Sequence, residues 1–132
     1  MLIVNGCPFC DLPAGGVVER NQHALAFRDR YPLAAGHTLV IPRRHVESPF
    51  DLAPEELTAL WSLVAQVRRS LASEFAPDAF TIGVNDGVAA GQTIPHAHVH
   101  VIPRWTGDVA DPRGGLRWVI PTRAPYWNEP AG

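Results

Sequence analysis

Between Pro95 and Arg104 the chain reads PHAHVHVIPR, and polar and apolar residues alternate from His96 to Val101. A period of two belongs to an extended strand, whose successive side chains point to opposite faces. The stretch therefore demands a sheet. One face lies under Ala97, Val99 and Val101, and the other carries His96, His98 and His100. These are three of only 6 histidines in the chain. On an extended backbone their Cα atoms span about 13 Å at ~3.3 Å per residue.

The remaining segments fit around such a sheet. GVVER and ALAFRDR read as two short strands joined through Asn21-Gln22-His23, a hairpin with His23 as a surface turn residue. Residues 32–36 connect to HTLVIPRRH, where the β-rich run Thr38 to Ile41 is stopped by Pro42. One long helix is predicted over 54–75. Pro54 suits its first position, and Glu55 and Glu56 lie where the helix dipole favours negative charge. Leu57, Leu60, Trp61, Val64, Leu71 and Phe75 give it an apolar face, and Pro77 ends it. Ala53 is a poor N-cap, for which Asp51 is expected to compensate. AFTIGVN is a further strand, DGVAAGQT a loop, and 95–104 the last strand. Residues 1–15 read as irregular chain around the cysteines. About five strands, mostly adjacent in sequence, with one long helix make an α+β domain with an antiparallel sheet.

With 132 residues, a single domain over 1–132 is expected, its core about 7–104 and its tail 105–132. Apolar residues at 46% and a formal charge of −2 suit a globular chain and argue against a general nucleic-acid binder. No apolar run reaches the roughly 20 residues of a membrane helix. The amino-terminal residues lack the basic and long apolar regions of a signal peptide, so a cytoplasmic location is expected. Cys7 and Cys10 form a C-x-x-C pair, which in a reducing compartment points to metal or redox chemistry more than to a structural disulfide.

Three imidazoles so close cannot all be protonated comfortably, since like charges disfavour one another. The run admits three readings. It is a chance cluster on a solvent face; or it clamps a zinc ion that activates water; or its middle imidazole is a nucleophile toward phosphorus, with the neighbours fixing its tautomer. A leaving group needs a proton, which a histidine near its ordinary pKa can supply. No Walker loop is present to hold magnesium.

His96-Ala97-His98-Val99-His100-Val101-Ile102, with its lead-in Gly91-Gln92-Thr93, resembles the signature of the histidine triad (HIT) family. GHTLVIPRRH and DLAPEEL resemble further family segments in order and spacing, so that the likeness covers about residues 7–104. It implies a HIT-like fold and a nucleotide hydrolase or transferase acting at the α-phosphate of a nucleoside conjugate, a dinucleoside polyphosphate or a phosphoramidate. His98 matches the nucleophile that forms a nucleotidyl-histidine intermediate. His100 matches the histidine near the phosphate oxygens, and His96 the one whose carbonyl orients the nucleophilic ring. Gln92 and Thr93 match groups that reach the phosphate or leaving group, Asn85 a position near the α-phosphate, and Asp29 a carboxylate that bonds the ribose hydroxyls. His37 resembles a supporting histidine near the site. Arg104 is either a partner for phosphate charge or a solvated strand end. A nucleotide-binding module without turnover, and a hydrolase with the triad as its metal site, are the alternatives.

The resemblance also bears on the cysteines. Bacterial members similar to this chain join Cys-x-x-Cys to two histidines, here His45 and His96, so Cys7, Cys10, His45 and His96 are the expected ligands of a structural zinc. The family likeness implies a homodimer, for which the helix face with Leu60, Trp61 and Val64 is one candidate contact. The tail resembles a bacterial subgroup described as diadenosine polyphosphate hydrolases. There, Arg113 with Gly114 and Gly115 is a candidate for a second phosphate, and Trp118 or Trp127 for stacking on a base. The competing reading is that these tryptophans simply pack the tail.

Overall fold

The computed structural model describes residues 4–130, so part of the amino-terminal stretch read above, and residues 131 and 132, lie outside the described residues. Five strands, β1 (Val17–Arg20), β2 (Ala24–Arg28), β3 (Thr38–Pro42), β4 (Ala79–Gly83) and β5 (Val99–Arg104), form one sheet, and one helix, α1 (Pro54–Phe75), packs against it. The strand order is β1-β2-β3-β5-β4, with every neighbouring pair antiparallel. This is the α+β architecture expected of the sequence. Among the described residues, no helix is long and apolar enough to cross a membrane.

Local chemistry sets the connections. The Asn21 side-chain oxygen accepts the N–H groups of His23 (3.0 Å) and Ala24 (2.8 Å), which closes the β1–β2 hairpin and leaves His23 in its turn. Gly36, ahead of His37, has φ +83°, and a Cβ there would lie 2.9 Å from the Phe75 ring. Glycine is required on both counts. The helix begins differently from expectation. Asp51 does not cap it; instead the Glu56 carboxylate accepts the Ala53 N–H at 3.0 Å, half of a capping box supplied from the third helical position. At the other end Ala76 takes the left-handed conformation (φ 48°) immediately before Pro77.

The buried stripe of α1 is Leu60, Leu63, Val64, Val67 and Leu71. Trp61, assigned to that face from its spacing, is instead 43% exposed, because the stripe is centred on Leu63 and Val67. The stripe packs on Ala24, Ala26, Val40, Ala97, Val99 and Val101. Each fully buried Leu or Val contributes roughly 1.5–3 kcal/mol through this burial.

The opposite sheet face follows from register, since residues directly opposite share a face. Leu39 pairs with Phe27 and with His100, and His100 pairs with Gly83. On one side Phe9 and Leu12 pack over Leu25, Phe27, Leu39 and Ile41. On the other, Leu116 of the carboxyl-terminal segment rests on Gly83, 3.5 Å from where a Cβ would stand. His100 lies in the gap between these two covers.

The last strand is shorter than 95–104. Continuing the β3–β5 register would set Ala97 opposite Pro42, which has no N–H to give. The ladder stops at Val99, and the Ala97 N–H turns to the Val46 carbonyl at 2.7 Å. The alternation persists in burial, with Ala97, Val99 and Val101 all in the core beneath α1, but of the three histidines only His100 belongs to a strand. Likewise β4 ends at Gly83, which releases Val84 and Asn85 into a loop.

Candidate functional site

The interrupted ladder sends the three histidines to different partners. His96 is fully buried. Its Nε2–H donates to the Pro42 carbonyl at 2.9 Å, an oxygen that the ladder leaves unclaimed. Its Nδ1 is thereby left with a lone pair, and it faces Cys7 Sγ at 3.5 Å and Cys10 Sγ at 3.6 Å. Cys10 Sγ is also 3.3 Å from His45 Nδ1. The four ligand atoms lie within 4.8 Å of one another. In a tetrahedral site with metal–sulfur bonds of about 2.3 Å and metal–nitrogen bonds of about 2.0–2.1 Å, sulfur and nitrogen stand about 3.6 Å apart. The set of expected ligands is therefore assembled in a form that fits such an ion, and the Pro42 carbonyl supplies the outer hydrogen bond that ligating imidazoles require. Burial pushes the Cys10 thiol up, and Cys7 adds to the effect; burial pushes His96 down. A bound cation reverses the first and suits the second.

His98 is buried, and its Nδ1 lies 2.8 Å from the His96 carbonyl. A carbonyl accepts only, so Nδ1 carries the hydrogen and Nε2 has a free lone pair. Phe9 packs edge-on against the ring at 5.2 Å, and the His100 ring stands 5.1 Å away.

His100 is fixed by a third chain of contacts. The Leu33 backbone N–H donates to His37 Nδ1 at 3.1 Å. That ring must then carry its hydrogen on Nε2, which lies 3.0 Å from His100 Nδ1 and 3.4 Å from Asp29 Oδ2. His100 Nδ1 thus accepts, and its own hydrogen sits on Nε2. Asp29 also accepts the Tyr31 N–H at 2.9 Å, and it pairs with neither Arg28 nor Arg30; Arg28 is engaged with Glu74 and Thr38. Burial lowers His100 to about 4, helped by the nearby imidazoles of His98 and His37, and burial also lowers His37. His100 is therefore neutral at cellular pH, a hydrogen-bond donor rather than a reservoir of acid. Asp29, His37 and His100 lie close enough for a metal, yet the Leu33 N–H occupies the lone pair that would have to carry a hydrogen if Nε2 were a ligand.

Asn85, Gly91 and His100 line one cavity of about 760 Å³. Gln92 is next to it, but its side chain is a brace. Its oxygen accepts the Gly87 N–H at 2.8 Å, and its nitrogen donates to the carbonyls of Glu47 (2.9 Å) and Ile94 (3.0 Å). Thr93 is exposed in the same loop. Arg104 is held away by Asp108 at 2.7 Å and by Thr81 at 3.1 Å. The tail residues singled out from sequence do not line this cavity. Arg113 pairs with Asp111 at 2.9 Å and stacks on Trp127, while Trp118 meets Trp127 at 6.5 Å and donates to the Arg113 carbonyl. Leu116, Val119 and Ile120 line it instead. Sequence reading missed these three, and missed Phe9. The aliphatic spacing in LRWVI was the available signal.

Comparison with known proteins finds similar chains over most of this chain's length. The HIT domain family matches residues 14–107. Over 104 residues the chain is 43% identical to a bis(5′-nucleosyl)-tetraphosphatase [asymmetrical] of Schizosaccharomyces pombe, covering 78% of this chain and 57% of that protein, less than two thirds of its length. It is 35% identical to the protein hit of Bacillus subtilis, covering 80% of this chain and 75% of that one. Among solved structures, a HIT family protein from Bacillus anthracis superposes with a TM-score of 0.72 at 37% identity, covering 79% of this chain and 77% of that one. A Plasmodium falciparum diadenosine triphosphate hydrolase gives 0.71 at 28%, covering 76% and 68%. The chain belongs to the HIT domain family.

Proposed function

We propose that this protein is a nucleotide hydrolase or transferase that cleaves at the α-phosphate of a nucleoside conjugate through a covalent intermediate on His98. The observation that carries the reading is the His98 Nδ1 to His96 carbonyl contact of 2.8 Å, which leaves the lone pair of Nε2 free. The likeness to a bis(5′-nucleosyl)-tetraphosphatase and to a diadenosine triphosphate hydrolase supports the substrate class.

The lone pair on His98 Nε2 attacks phosphorus, an N–P bond forms, and the P–O or P–N bond to the leaving group breaks with its electron pair, an amine leaving group taking a proton from solvent as it departs. The Nε2–H of neutral His100 donates to the phosphoryl oxygens as charge develops on them. Water then attacks phosphorus, the N–P bond breaks, and the nucleotide departs. Over the cycle the two hydrogens of water end on the leaving group and on the released nucleotide. Asp29 accepts from the ribose hydroxyls with the capacity left by Tyr31 and His37, Asn85 borders the phosphate, and backbone near Gly91 and Thr93 approaches it. Gln92 acts by holding that loop.

Zinc at Cys7, Cys10, His45 and His96 is structural in this reading, since four protein ligands close the shell. When bound there, it would help fix His96 and, through the His96 carbonyl, His98. A triad that itself holds a catalytic metal fares worse, because the three rings are tied to separate partners rather than converging. The reading takes 1–132 as one domain, places it in the cytoplasm, where thiols stay reduced, and keeps a homodimer, for which the edge strand β4 and the exposed Trp61 are available; light scattering at working concentration tests the last.

Incubation of wild type and His98→Ala with an adenosine phosphoramidate and with diadenosine polyphosphates tests the mechanism. Turnover is expected to fall at least about 10³-fold in the variant, with a nucleotidyl-protein adduct trapped by acid quench only in the wild type. Undiminished turnover in His98→Ala overturns the assignment, and tight binding without product in the wild type favours a binding module.

A further inference from the structure

His100 takes its hydrogen-bond partner from His37, which stands just ahead of β3 at the end of the turn over 29–37. Both peptide units that flank His37 are anchored. The Gly36–His37 unit donates its N–H to the Ala34 carbonyl at 3.1 Å, and its oxygen accepts the Thr38 hydroxyl at 2.7 Å. The next carbonyl, that of His37, accepts the Asp29 N–H at 2.9 Å. Gly36 itself lies close against the Phe75 ring at the end of α1.

The Thr38 hydroxyl owes its direction to Arg28. Arg28 Nη1 lies 2.6 Å from Thr38 Oγ1, and a guanidinium only donates. The hydroxyl therefore accepts on that side and spends its one hydrogen on Gly36. Arg28 is aimed in turn by α1: its Nη2 donates to Glu74 at 3.1 Å, and its Cζ lies 5.5 Å from the centre of the Phe75 ring. The β2–β3 ladder already pairs Arg28 with Thr38 through the backbone, so the sheet does not need this side-chain bond for its register. Thr38 is fully buried. Valine has the same shape and no polar atom to satisfy, so packing alone would be served as well by valine. The hydroxyl is what threonine adds at this position, and its target is the peptide that carries His37.

We infer that Thr38 and Arg28 are positioning residues of the reaction. From the end of α1 they set the Gly36–His37 peptide, and through it the His37 ring and the nitrogen of His100 that keeps the hydrogen. Register puts Arg28 and Thr38 on the sheet face opposite that of Leu39 and His100, so the influence passes around the end of β3 through one peptide unit. The kinetic part of the inference rests on His100 as the donor in the reaction proposed above; the placement of hydrogens does not.

The test reads both parts. Long-range proton–nitrogen spectra of protein labelled with ¹⁵N-histidine report which ring nitrogen is protonated. Wild type is expected to show His37 and His100 each with hydrogen on Nε2. In Thr38→Val at least one of these rings has its hydrogen on Nδ1 or divided between the nitrogens, and kcat falls about tenfold with KM within about twofold. Thr38→Ser, which keeps the hydroxyl, restores the ring signals and brings kcat back to within about twofold of wild type. Arg28→Met, at a side chain that is 34% exposed, moves both readouts in the same direction by less, and it decides the matter if Thr38→Val does not fold. Wild-type ring signals in Thr38→Val, or a serine variant that behaves like the valine one, overturn the inference. Altered ring signals with wild-type kcat confine Thr38 to the fold and overturn its part in the reaction. A wild type without turnover sinks the hydrolase reading and the kinetic part with it, and the ring signals alone then decide the positioning.

Discussion

Two clusters flank His98, and they use similar side chains to opposite ends. Cys7, Cys10, His45 and His96 bring their ligand atoms within 4.8 Å of one another, and the one hydrogen on His96 is drawn away by the Pro42 carbonyl. Asp29, His37 and His100 lie equally close, but the Leu33 N–H fills one lone pair and hydrogens fill the gaps between the rest. The first is a cluster that could hold a metal ion, and the second a hydrogen-bonded chain that leaves the hydrogen of His100 on Nε2. Proximity of ligating residues does not separate the two; the tautomers do, and each is dictated by a single backbone group.

The largest expected effect tests the first cluster. Cys10→Ala is expected to lower zinc from about one per chain to near zero by elemental analysis, and to lower the melting temperature by more than about 10 °C, since binding energy of a structural zinc is folding energy. Asp29→Asn should leave zinc content unchanged. Loss of metal in Asp29→Asn would erase the distinction drawn above.

The second cluster is tested by kinetics. His37→Phe removes the donor to His100 Nδ1 and is expected to lower kcat about 10²-fold with KM little changed. His37→Gln, whose amide can still donate, should recover part of the loss and keep the wild-type pH profile. If Phe and Gln behave alike, the chain is packing only.

A smaller effect comes from pH. His100 is held at about 4 against an ordinary 6.5, so the unfolded chain takes up the proton first. Its contribution is complete above about 6.5 and is lost as pH falls to about 4, at most about 3 kcal/mol. Denaturant melts of wild type and His100→Asn should therefore diverge at neutral pH and converge toward pH 4, with wild type losing more. A constant difference across that range refutes the assignment.

The smallest expected effect concerns the loop that carries His45. Arg44 grips Glu56 at 2.9 Å, and this with the Ala53 N–H holds the Glu56 carboxyl at about 2. A depressed carboxyl stabilises above its ordinary value of 4.5, and the benefit goes as pH falls through about 2. Arg44 is 37% exposed, so solvent screens the pair and Glu56→Gln should cost only about 1 kcal/mol at pH 7 and nothing near pH 2.

Much of the fold was legible. The bounds of α1 match the prediction because Pro54 and Pro77 punctuate the chain locally, whereas Trp61 was misplaced because which side of a wide apolar arc faces inward depends on the sheet it meets. The expected strand over 95–104 overran because its limit is set by Pro42, far away in sequence and opposite only after pairing. The triad and the four-ligand set were visible as types and spacings. The function of Gln92 as a loop brace was not, nor the aliphatic wall from the tail, since both depend on contacts across the fold.

By itself the sequence determined the alternation at 96–101, the long helix and the supply of imidazoles and thiols, all matters of local periodicity and residue chemistry. Only the tertiary structure decided which nitrogen of His96 and of His100 bears its hydrogen. That choice belongs to the Leu33 N–H and the Pro42 carbonyl, which folding brings alongside, and with the local His96 carbonyl it leaves different free nitrogens on neighbouring imidazoles of the run.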